Sequence, residues 1–111
     1  MSRQRRTLIW VAVAVAILFL VLRAVIVFRR YGRVQRAWSS IHSGQTSQDV
    51  LQLLGMPNYY AGKCGVIHVA AKGCSLEYVY SHPFAPLIPE YDIVSFTADD
   101  RVKSAEVRSS P

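Results

Sequence analysis

The sequence predicts an α+β protein: an N-terminal transmembrane helix, then two short helices packed on a three-stranded antiparallel sheet. Three observations predict it. Residues 7–28 are apolar apart from one charge, residues 46–57 spell out a capped and terminated helix, and segments beginning near residues 76, 90 and 102 carry strand patterning.

The apolar run counts 22 residues from Thr7 to Phe28, against the ~20 that a helix rising about 1.5 Å per residue needs to cross a ~30 Å hydrocarbon core. A charge at the bilayer centre costs on the order of 3 kcal/mol, but Arg23 lies near one end, where its stem reaches the headgroups. A cleaved signal peptide fits less well, because the apolar stretch is long and no small-x-small site with a polar sequence behind it follows. A lipid anchor would need a cysteine at the end of that stretch, and the first cysteine is Cys64. The expected organisation is a basic tail over 1–6, a span over 7–28, a basic neck over 29–33 and one small domain over 34–111.

The net charge of +6 is unevenly placed. Residues 1–36 hold eight Arg and no acid, while residues 37–111 hold five Lys or Arg against seven Asp or Glu, about −2. The basic residues therefore suit a membrane surface, and no basic stripe interleaved with aromatics points to nucleic acid. Arg3, Arg5 and Arg6 on one side of the span nearly balance Arg23, Arg29, Arg30, Arg33 and Arg36 on the other, so the positive-inside rule leaves orientation open. A bare count of these residues slightly favours a cytoplasmic domain, whereas two cysteines in so small a domain suggest an oxidising compartment.

Along the chain, Val34, Ala37, Trp38 and Ile41 recur at helical spacing and predict a short first helix ending by Gly44. In the second helix Thr46 caps, Asp49 completes a capping box, Val50, Leu53 and Leu54 form the apolar face, and Gly55 with Pro57 stops it. SLEYVYS sets Leu76, Tyr78 and Tyr80 opposite Glu77, Val79 and Ser81, and EYDIVSFT and VKSAEVR flank the turn signal ADDR. The three prolines of SHPFAPLIP make a partly apolar loop between the first two of these strands. VIHVA reads either as an extra edge strand or as part of a crosslinked loop.

The string from Ile41 through Gly44, Thr46, Asp49, Val50, Leu53, Leu54, Gly55 and Pro57, then Leu76–Tyr80 and Val94–Val102, resembles the SmpA/OmlA (BamE-like) domain family over about residues 34–108. That pattern is an Ile, Gly-x-Thr, a helix ending Leu-Gly-x-Pro, an aromatic strand, and a hairpin closing on Phe and an acidic turn. The resemblance implies two helices on a three-stranded antiparallel sheet, a place on the periplasmic side of the bacterial envelope, and a non-catalytic part in outer-membrane protein assembly or envelope integrity. With the apolar helix it makes the expected protein a single-pass inner-membrane protein with a periplasmic domain. Two features depart from the family: a helix and an Arg-rich neck replace its acylated cysteine, and Arg101 stands where its turn usually offers Gly, so Asp100 or Arg101 must take any positive φ.

Cys64 and Cys74 enclose nine residues, and bridging them stabilises by roughly 2–3 kcal/mol, so a structural disulfide is the expectation. Free thiols are the default if the domain faces the cytoplasm. A regular hairpin turning at AAKG would place the two cysteines at different levels and competes with the bridge. Cys64, His68, Cys74 and His82 have the chemistry of a zinc set, but gaps of three, five and seven residues lack a knuckle, so no metal or other cofactor is expected. No nucleophile is paired with a base and an oxyanion motif, Asp99 and Asp100 are explained by the turn, and no Gly-rich phosphate loop exists, so neither an enzyme nor a small-molecule site is expected. Surface recognition remains. Tyr59, Tyr60 and Phe84 fall in expected loops and are the candidate partner-binding residues, unless they merely cover the open face of the sheet. Leu87 and Ile88 share Phe84's loop and could meet a partner or lie against the bilayer. The competing functional class is a cytoplasm-facing, membrane-tethered domain with a metal or redox-active Cys/His site.

Overall fold

A computed structural model describes residues 2–69 and 72–109. Its α+β architecture differs from the expected one in two elements. The first helix, α1, runs unbroken from Arg3 to Ala37, started by Ser2, whose Oγ accepts the Arg5 amide at 3.3 Å. The predicted short helix around Val34 is thus the far end of this long one, followed by a single 3₁₀ turn over Trp38–Ser40. Nothing in the neck stops a helix: Arg is a good helix former, and Gly32 costs only about 1 kcal/mol. The expected packing residues still work, with Val34 and Ile41 buried and Trp38 packed against the same cluster.

Helix α2, Ser47–Leu54, is built as its sequence dictates. Asp49 N–H donates to Thr46 Oγ1 at 3.2 Å and Thr46 N–H to Asp49 Oδ2 at 3.1 Å, closing the capping box. Gly55, at φ +81°, ends it, its amide donating to Leu51 O. Val50 and Leu54 are buried, and Leu51 and Leu53 pack beside them.

The sheet is an antiparallel meander of four strands, β1 Tyr60–Lys63, β2 Leu76–Ser81, β3 Tyr91–Phe96 and β4 Val102–Arg108, in chain order. Sequence patterning predicts the last three. It misses β1, because YAGK offers no alternating apolar pattern and exists as a strand through its pairing with β2, from Tyr60↔Val79 to Lys63↔Leu76. The β3–β4 turn forms where expected, and Asp100 adopts the positive φ, at +60°. Val102 N–H donates to Gln45 O at 2.7 Å, tying β4 to the chain just before α2.

Both sheet faces are covered. Tyr78, Tyr80, Val94, Phe96 and Val102 pack against Val34, Ile41, Val50 and Leu54 of the helical layer. On the opposite face Val79, Tyr91 and Ile93 lie under Ile67 and Ala85, which belong to the loops before and after β2. VIHVA is therefore part of a covering loop as far as Val69; its Ala70, and Ala71 of the AAKG turn, lie outside the described residues.

The first two thirds of α1 project from this body, with none of the most apolar window buried. This is one helix long and apolar enough to cross a membrane, by length and composition a membrane span or a signal sequence.

Candidate functional site

Two chemically distinct regions flank the sheet. The first lies under the loop that leaves β1 and enters β2. The Cys64 and Cys74 sulfurs stand at disulfide distance, with Cα atoms 6.0 Å apart. Each end is held by pairing, Cys64 directly after Lys63 and Cys74 two residues before Leu76, which oppose one another in the β1–β2 register. Between the two cysteines, Ile67 and His68 lie over the sheet. Glu77 lies beneath them with 0% of its surface exposed. His68, from the loop, donates through Nε2 to Glu77 Oε2 at 2.8 Å, while its Nδ1 lies 2.9 Å from Val69 O and 3.3 Å from Arg108 Nη1. Glu77 Oε1 has no hydrogen-bond partner among the described residues. The two sulfurs and a Glu77 carboxylate oxygen lie within 4.8 Å of one another.

Ligand chemistry alone groups His82 with Cys64, His68 and Cys74 in the sequence, and the structure separates it. His82 packs its ring on Tyr31 at 4.7 Å between centroids, and its Nδ1 accepts the Phe84 amide at 3.0 Å. Glu77 takes its place. Alternation along SLEYVYS assigns Glu77 to the face away from the helices, which is correct; that this face is roofed by a loop is not written in β2, although Val79 on the same face is a hint.

The second region is a cleft of about 310 Å³ between α1, α2 and the β2–β3 end of the sheet, with Arg30, Tyr31, Arg33, Asn58, Tyr80 and Asp92 in its wall. Here α1 is bolted to the domain. Arg33 donates to the α2 carbonyls of Gln52 at 2.6 Å and Leu53 at 3.2 Å, meeting the negative end of that helix with a cation. Tyr31 Oη donates to Glu90 Oε1 at 2.9 Å, and Gln35 Nε2 to Asp92 Oδ2 at 2.7 Å. Asp92 is 3% exposed and its Oδ1 has no partner among the described residues. Burial pushes its carboxyl above the ordinary range, against the opposing effect of the Gln35 hydrogen bond. Burial and the hydrogen bond to Glu90 push the Tyr31 phenol up to about 12. Burial also raises the Tyr80 phenol, whose Oη donates to Gly55 O at 2.8 Å.

The structure does not gather the three candidate recognition residues at one point: of them, Phe84 touches the apolar helix. Phe84 stacks edge-on against Phe28 of α1 at 5.4 Å yet stays 52% exposed. Tyr59 rests edge-on against Tyr91 at 5.2 Å and is 49% exposed. Tyr60 is not in a loop as expected but opens β1, paired with Val79, and its Oη donates along the strand to Lys63 O at 2.7 Å. Leu87 of the Phe84 loop is 89% exposed, and Met56 and Ile88 are also exposed. No known protein family, curated protein or solved structure matches this chain.

Proposed function

We propose that the chain is a membrane-anchored, non-catalytic interaction module of the bacterial envelope, held by one span in the inner membrane with its domain on the periplasmic side. The observation that carries this reading is the continuity of α1 from its apolar stretch into the core of the domain. Phe28, Tyr31, Arg33 and Gln35 all bind the folded part, so the domain is held rigidly beside the apolar segment rather than hung on a linker. Cleavage within such a helix would remove part of the domain's own packing, which supports an uncleaved anchor over a signal sequence. A paired Cys64 and Cys74 supports an oxidising compartment.

In this reading the exposed Phe84, Leu87 and Ile88 of one loop, with Phe84 against Phe28 of the anchor helix, form the partner-binding face beside the membrane, and exposed Tyr59 is a second contact. Exposed aromatic and apolar residues are the class that anchors protein interfaces. The partner in this reading is an envelope protein, and the resemblance to SmpA/OmlA domains supports a role in outer-membrane protein assembly or envelope integrity. Labelling with a bulky membrane-impermeant maleimide tests orientation. Thiols that react in spheroplasts only after reduction support a periplasmic, bridged domain; labelling that needs lysis and no reductant refutes it. A photoreactive residue at Leu87 then crosslinks to an envelope protein in intact cells, whereas one at Val107 on β4 does not; equal yields would refute the proposed face.

The buried Glu77 beside the cysteine pair favours a second reading, in which these thiols are chemically active and not only structural.

A further inference from the structure

We infer that the Cys64–Cys74 pair, once reduced, forms with Glu77 a binding site for one divalent zinc-like cation. Linear spacing argues against zinc because Cys64, His68, Cys74 and His82 form no knuckle, but the fold supplies a different third ligand, Glu77 of β2. The sulfurs and a Glu77 oxygen already lie within 4.8 Å of one another. Tetrahedral zinc with ~2.3 Å bonds to sulfur needs its two thiolates about 3.8 Å apart. Cysteines with Cα atoms 6.0 Å apart reach that separation by turning their side chains, with the strands left in place.

Glu77 is the reason to expect a cation here and not merely a broken bridge. A fully buried carboxylate with one oxygen lacking a partner among the described residues is left with unmet hydrogen bonding that a bound cation would satisfy. His68 satisfies Oε2 and so holds the carboxylate in place, leaving Oε1 as the ligand atom. His68 is thereby a positioning residue, of the kind that tunes affinity from outside the ligand set. Water fills the fourth position. Thiolate, thiolate and carboxylate suit zinc by softness and count, and once both thiols have lost their protons the ligand set carries formal charge −3, which favours a dication.

The redox step balances with a dithiol as reductant. Its two sulfurs join in a new disulfide, and the two electrons and two protons it gives up convert the Cys64–Cys74 bond into two thiols. Zinc binding then displaces both thiol protons to solvent. The oxidised form offers only Glu77 and His68, so metal binding reports the redox state of the pair. The inference is independent of membrane orientation.

The test uses the full chain in detergent, reduced with a phosphine, freed of it under anaerobic conditions, and titrated with cobalt(II) and then zinc. The expected result is one cobalt per chain with thiolate-to-cobalt charge transfer and tetrahedral d–d bands, both lost when zinc displaces it. Zinc also protects both thiols from alkylation in the wild-type chain. Cys64→Ser/Cys74→Ser abolishes the bands, and Glu77→Gln and His68→Gln each weaken binding about tenfold or more. The unreduced chain gives no bands. Failure of the reduced wild type to bind overturns the inference, as does one metal shared between two chains. Unchanged affinity in Glu77→Gln, with the bridge still forming on reoxidation, also overturns it.

Discussion

Removing the crosslink as Cys64→Ser/Cys74→Ser should lower the stability of the folded domain by about 2.7 kcal/mol. The closed ring runs from Cys64 to Cys74, a separation of 10 residues. Loop-closure entropy for a ring of about ten residues is roughly 9 cal/mol/K, which gives ~2.7 kcal/mol near room temperature. A domain of about 75 residues has a total stability of ~4–11 kcal/mol, so the loss is a large share of it. The structure adds a contribution of the same sign, because the bridge holds the loop that roofs Glu77 and the Val79, Tyr91 and Ile93 cluster. The assay is urea unfolding of the full chain in micelles with chelator present, in a Trp10→Phe background. Trp38, packed on the core, then reports the transition alone. With a urea slope of about 1 kcal/mol/M, the midpoint should fall by roughly 2–3 M, and reduced wild type should match the double variant. A shift under about 0.5 M would refute the loop-closure reasoning.

Other expectations follow from single contacts. Thr46→Ala removes the acceptor for Asp49 N–H and should cost about 1 kcal/mol, read as a lower urea midpoint. Asp100→Val forces a β-branched residue to φ +60° and should cost about 1–3 kcal/mol, while Asp99→Val should leave the thermal midpoint nearly unchanged. For Asp92 the folded chain holds its proton more tightly than the unfolded chain, whose value is near 3.8. Its contribution to stability is therefore full below the unfolded value and lost as pH rises through the raised folded value. Urea midpoints measured upward from about pH 4 should show that falling contribution in wild type and lack it in Asp92→Asn; equal slopes would contradict it.

Local signals made several elements legible. The Thr46–Asp49 box, the stop at Gly55 and the turn at Asp100 appear where the sequence places them, because each is decided by residues within a few positions of one another. The apolar run also needs no partner to be recognised. A separate first short helix is expected only because a local reading looks for a break between anchor and domain, whereas a basic neck with one Gly continues a helix readily. Strand β1 was invisible because its pattern is supplied by β2 rather than by its own side chains.

The candidate site divides in the same way. Sequence alone determined an apolar helix long enough to cross a membrane, a small α+β domain with seven acids against five basic residues in 37–111, and two cysteines with nine residues between them; the fold brought that pair to disulfide distance. Tertiary structure decided what surrounds that pair. It sent His82 toward Tyr31, brought His68 onto Glu77, and buried Glu77 and Asp92, each with one oxygen lacking a partner among the described residues. Burial belongs to a position in the folded chain and not to a residue type. A loop folding over one face of a sheet turns an ordinary strand glutamate into a desolvated carboxylate, and no pattern within that strand records it.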